Sequence, residues 1–77
     1  MIIQLNLIGD INQFVQGSRF YEGQIFIEQD GQKVNAKSIL GVYALDLSKP
    51  IHVSIESDRE DVKDNFYNFI KKWEVSD

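Results

Sequence analysis

Three sets of side chains in this sequence have types that could do chemistry. They are a single histidine, His52; a group of acids at Asp58, Glu60, Asp61 and Asp64; and Ser38, which opens an apolar stretch. His52 lies between Ile51 and Val53 in an alternating segment, so it points away from the apolar face. Nothing in the pattern fixes an acid or base partner for it, and it reads as a solvated sheet-face residue. The acids stand at the start of an amphipathic segment, where a helix dipole collects negative charge without any catalytic purpose. Carboxylate pairs that cleave glycosidic bonds also need a concave site, which a very small domain rarely offers. No GxGxxG or Walker-type phosphate loop is present.

Ser38 allows two readings. A serine at a helix start is first of all a cap, its oxygen accepting from a free backbone amide. A phosphate on the same oxygen would sit among free amides at the positive helix end, where a dianion is stabilised. Ile39, Leu40, Val42 and Tyr43 follow, apolar around most of one very short helix. Such a helix cannot bury all its faces, so an apolar patch is expected beside the serine. A phosphate next to an apolar patch makes a switchable docking surface.

The elements that must position these residues belong to a single domain, residues 1–77. With 77 residues, a formal net charge of −4, one histidine and no cysteine, the chain has no thiol nucleophile, CxxC pair, cysteine zinc site or multi-histidine metal centre. No cofactor is signalled. The hydrophobic fraction of 43% is that of a folded domain rather than a disordered one. The acid excess disfavours nucleic acid and anionic membrane surfaces. No apolar run is long enough for a bilayer span, and the start lacks a signal peptide's basic region, so a cytoplasmic location is expected.

Ile3, Leu5 and Leu7 alternate with Gln4 and Asn6 as a half-buried strand. Asp10 with Gln13 resembles a capping box for a helix of about two turns carrying Ile11, Phe14 and Val15 inward and stopping at Gly17. Ile25 and Ile27 point inward from a second strand. Asp30-Gly31 suits a type I′ turn, which pairs Ile27 with Val34 and Glu28 with Lys33. Phe26 then faces outward as a candidate partner contact, whereas Phe20 is expected in the core. After the short helix at Ser38, Ile51, Val53 and Ile55 form a last strand. Ser57 to Glu60 reads as a capping box for a final helix burying Val62, Phe66, Phe69, Ile70 and Trp73. Lys71 and Lys72 close it. The order gives an α+β two-layer fold, an antiparallel sheet with helices on one face.

The run Val34-Asn35-Ala36-Lys37-Ser38-Ile39-Leu40-Gly41-Val42 resembles the regulatory-serine segment of HPr, the histidine-containing phosphocarrier of the bacterial sugar phosphotransferase system. The hairpin, the strand at Ile51 to Ile55 and the last helix stand at that family's spacing, so the resemblance covers roughly residues 14 to 73. It implies an open-faced β-sandwich with strand order 1-4-2-3. It also implies Ser38 as a site for an HPr kinase, and Ile39, Leu40 and Tyr43 as the adjoining contact surface. The family carries its phosphoryl group on a histidine in a His-x-Arg-Pro loop before the first helix. Here that region reads Leu7-Ile8-Gly9-Asp10-Ile11, and His52 is in the wrong strand to substitute. The resemblance is therefore to paralogues that lost the histidine and kept the serine, some of which act as corepressors of a catabolite-control transcription factor. The expectation is a regulatory adaptor and not an enzyme. The alternative is a degenerate interaction module in which Ser38 only caps a helix. A free strand edge and Phe26 are compatible with a homodimer.

Overall fold

The computed structural model describes residues 1–75. Four strands, β1 (Ile2–Ile3), β2 (Gln24–Gln29), β3 (Gln32–Asn35) and β4 (Ile51–Glu56), form one antiparallel sheet in the order β1-β4-β2-β3. Three helices, α1 (Ile8–Ser18), α2 (Ile39–Tyr43) and α3 (Glu60–Ile70), accompany it, and a 3-10 turn at Lys71–Trp73 follows α3. Alternation builds the layers. Ile25, Ile27, Ile51, Val53 and Ile55 are buried together with Ile11, Phe14 and Val15 of α1 and Phe66 and Ile70 of α3. Asp30 and Gly31 both take positive φ, 49° and 83°, as a type I′ turn requires. The turn sets Ile27 opposite Val34 and Glu28 opposite Lys33.

β1 is shorter than the alternation suggests. Ile3 and Leu5 are buried, but Leu7 is 66% exposed because the chain turns into α1 before it can continue the strand. The flank of β1 away from β4 is occupied. Ile3 bridges to Glu74, the Gln4 amide donates to the Trp73 carbonyl (3.0 Å), and the Val75 amide donates to the Ile2 carbonyl (3.0 Å). Trp73 is buried at the root of this strap, edge-on to Phe14 and Phe69.

Both expected capping boxes are replaced. α1 begins at Ile8 with Leu7 at its cap and no side-chain bond there, and the Ile11 amide donates to the Leu7 carbonyl (3.1 Å). Asp10 therefore lies inside the first turn, where its charge suits the dipole, and α1 runs for 11 residues rather than two turns. Gly17 is inside the helix and does not stop it. The Phe69 ring, half-buried, packs onto Gly17 so closely that a Cβ would overlap it. At α3, Ser57 Oγ accepts from the Arg59 amide (3.2 Å) in a local turn, which competes with capping. The helix starts later, after Arg59, whose guanidinium binds the Asp61 carboxylate at 2.7 and 3.2 Å. Phe20 is 88% exposed and not part of the core, because the turn after α1 carries it outward while Tyr21 turns in against Phe66.

Candidate functional site

The segment that leads into α2 is a tight turn in which each residue has a structural task. The Ala36 amide donates to the Ile25 carbonyl (2.9 Å), continuing the edge of the sheet, and the Ala36 side chain is buried. Asn35 accepts through Oδ1 from the Lys37 amide (2.8 Å) and through its carbonyl from the Ser38 amide (3.1 Å). Lys37 Nζ reaches across to the carbonyls of Tyr21 (2.8 Å) and Gly23 (3.0 Å). Arg19 Nε donates to the Lys37 carbonyl (3.3 Å). Ser38 ends the turn with extended backbone, and its Oγ accepts from the Gly41 amide (3.3 Å). The hydroxyl is thus a cap, as its sequence position suggests, and its residue is exposed.

Five residues make a helix too short to be stable alone, so α2 depends on what holds its ends. Val42 is fully buried beneath it and Ile39 packs half-buried against the core. Beyond its far end, Gln29 of β2 brackets the Asp46 backbone, donating from Nε2 to the carbonyl (2.7 Å) and accepting at Oε1 from the amide (2.8 Å). Asp46 in turn accepts from the amide and hydroxyl of Ser48, at 3.1 and 2.5 Å. The Ser48 hydroxyl and amide, with Lys49 nearby, hold the Asp46 carboxyl below the usual aspartate range. Lys37, Arg19 and Gln29 were not singled out by the sequence reading. Their bonds join residues 14 to 18 apart in the chain and leave no periodic trace.

Held in this way, α2 presents Leu40, 81% exposed, and Tyr43, 46% exposed, on the same short helix that Ser38 caps. Ile39 contributes only its outer part. Phe26 does not join them. It lies half-buried on the open face of the sheet, opposite the buried side of β2, with Lys33 Nζ 4.2 Å from its ring centre. His52 lies exposed on that open face, between Glu28 and Ile2 in the strand register. Of the acids at α3, Asp61 is engaged by Arg59, which lowers its carboxyl below the ordinary value, and Glu60 lies 3.4 Å from Lys63. An open cleft of about 760 Å³ at this end is lined by Glu22, Glu56, Ser57 and Arg59, and it touches none of the candidate residues around Ser38.

The family model for the PTS HPr component phosphorylation site matches residues 11–71, which include all of this turn and α2. The chain belongs to the HPr family. Among its relatives, the HPr-like protein Crh of Bacillus subtilis is 42% identical over 48 residues, 62% of this chain. The chain spans only 56% of that relative's length. The HPr-like protein Crh of Halalkalibacterium halodurans is 36% identical over 62 residues, covering 77% of this chain and 74% of the relative. Among solved structures, HPr-C-His from Thermoanaerobacter tengcongensis superposes with a TM-score of 0.74 at 29% identity, covering 94% of this chain and 90% of that one. Crh of Bacillus subtilis, solved as an intertwined dimer with a swapping domain, shares the fold with a TM-score of 0.65 at 23% identity, over 99% and 90% of the two chains. The HPr-like chain departs from the phosphocarriers at the start of α1, where Leu7 and Ile8 are 66% and 70% exposed and no histidine is present. Among the described residues, no helix is long and apolar enough to cross a membrane.

Proposed function

We propose that this HPr-like chain is a non-enzymatic regulatory adaptor. In this reading Ser38 is phosphorylated by an HPr kinase, and Leu40 and Tyr43, with the rim of Ile39, dock a protein partner. The single observation that carries it is an exposed serine hydroxyl beside two exposed apolar side chains, within the segment that matches the family's phosphorylation-site model. The likeness to Crh supports a partner of the catabolite-control transcription-factor kind. Phe26 lies on another surface, the open face of the sheet, and stands outside this docking site as a separate contact. The swapped Crh dimer supports self-association by this chain through other surfaces, which sedimentation would read. Sugar phosphocarrier activity has no acceptor at the start of α1, and His52 is on the sheet.

A second reading is favoured by the bond from the Gly41 amide to Ser38 Oγ, since a cap already accounts for the hydroxyl. In that case the chain is an interaction module without phosphorylation. The two separate in one experiment: the protein is incubated with an HPr kinase and ATP and weighed. The adaptor reading expects a gain of one phosphate that Ser38→Ala abolishes. No gain, or a gain that persists in Ser38→Ala, overturns it.

A further inference from the structure

A phosphate on Ser38 adds nearly two negative charges to a chain whose formal charge is already −4. Which cation answers it depends on which cations are already engaged. Lys37, the nearest in sequence, has its ammonium fixed between the Tyr21 and Gly23 carbonyls. Arg59 binds Asp61 and lies 3.8 Å from Glu22, Lys63 faces Glu60, and Lys49 lies 3.8 Å from Asp46. Arg19 differs from all of these. It stands just past α1 and is exposed, and no carboxylate pairs with it among the described residues. Among the described residues its one side-chain bond is from Nε, at 3.3 Å, to the carbonyl of Lys37, the peptide that leads directly into Ser38. The guanidinium is therefore held next to Ser38 by one long neutral bond, with its other four N–H donors unengaged by the described residues.

We infer that Arg19 is the internal receiver of a phosphate on Ser38. On phosphorylation its guanidinium turns from the Lys37 carbonyl to the phosphate oxygens and ties the end of α1 to the start of α2. This inference rests on Ser38 being a phosphorylation site. The kinase step replaces the serine O–H bond by an O–P bond, with ADP leaving and the proton released, and Arg19 takes no part in it. The exchange is favourable because a charge-assisted bond to a dianion replaces a neutral one, and the freed Lys37 carbonyl is open to water. A lysine could supply the charge but not the two-pronged fit.

The test installs phosphoserine at position 38 during synthesis, so that it does not depend on any kinase. The phosphorus resonance is titrated with pH in the otherwise native chain and in Arg19→Gln, Arg19→Lys and Lys49→Gln. A guanidinium on the phosphate stabilises the dianion, so the second ionisation constant in the native chain is expected to be about two- to fivefold larger than in Arg19→Gln. The difference should shrink in high salt. Arg19→Lys should fall between the two, and Lys49→Gln should match the native chain. Equal titrations in the native chain and Arg19→Gln overturn the inference, as does an equal shift in Lys49→Gln. Arg19 is exposed, so its removal leaves the fold intact, and circular dichroism checks this. A failed kinase assay with a positive titration would remove the phosphorylation reading while leaving the Arg19 geometry proven, and the reverse outcome would do the opposite.

Discussion

The two helices that start at the sites of interest in this fold, α1 and α2, are held by different forces. α1 is kept in place by packing. Ile11, Phe14 and Val15 are buried, the Phe69 ring closes onto Gly17, and its cap residue Leu7 and first residue Ile8 face solvent without a capping side chain. α2 buries little beyond Val42 and is kept in place by polar tethers: Ser38 to Gly41, Lys37 to two carbonyls, and Gln29 around Asp46. The start of α1 is where the family resemblance leads one to expect a histidine, and here it carries the exposed Leu7 and Ile8 instead. The start of α2 keeps a surface whose position is set by groups that another charge can rearrange. A packed element is insensitive to a new phosphate, whereas a tethered one can respond to it.

This contrast can be broken in several ways. The largest effect is expected from Gly17→Ala, which forces a methyl against the Phe69 ring. It should lower stability by about 1–3 kcal/mol in urea unfolding, with little dependence on salt or pH. A neutral result would mean that α1 is looser than its packing implies. Ser38→Ala should cost about 0.5–2 kcal/mol through the lost cap. Gln29→Ala should cost about 1 kcal/mol, both bracket bonds being exposed, and should make the α2 amides exchange faster with solvent than those of α1. If both helices speed up equally, the tethers are not local. Leu40→Ser should leave stability within about 0.5 kcal/mol of the native chain while removing partner binding.

The smallest effect concerns pH. The carboxyls of Asp46 and Asp61 are both lowered in the fold, by the Ser48 hydroxyl and by Arg59 respectively. Folding thus favours their ionised forms. Their contribution is present above the ordinary aspartate value and is lost as pH falls through the lowered values, so unfolding midpoints should decline slightly in acid. Asp46→Asn should flatten that decline only for the α2 side, read by amide exchange at Val42 and Tyr43. A decline unchanged in that variant would place the acid sensitivity elsewhere.

The parts of this picture that follow a period were legible in the sequence. The hairpin register at Asp30-Gly31, the inward rows of β2 and β4, and the stripe of α3 all repeat at two or 3.6 residues. Ser38 and the apolar residues after it were legible because cap chemistry and crowding on a short helix are local. What escaped was decided by competition between nearby partners or by distant bonds. Ser57 turned to the Arg59 amide instead of capping α3, and Phe20 was displaced outward while its neighbour Tyr21 packed, half-buried, against the core. Lys37, Arg19 and Gln29 act through hydrogen bonds to backbone far along the chain, which no spacing announces.

The position of β1 has a consequence for how the fold is reached. β4 lies between β1 and β2, and the bond from the Met1 amine to the Val53 carbonyl joins residues 52 apart. During synthesis the first strand has no place to pair until nearly the whole sheet has been made, and the strap at Glu74 and Val75 comes later still. Loop closures of this length come late and favour an all-or-none transition over a stepwise one. Nascent chains stalled before β4 should therefore be protease-sensitive throughout, including the turn that carries Ser38.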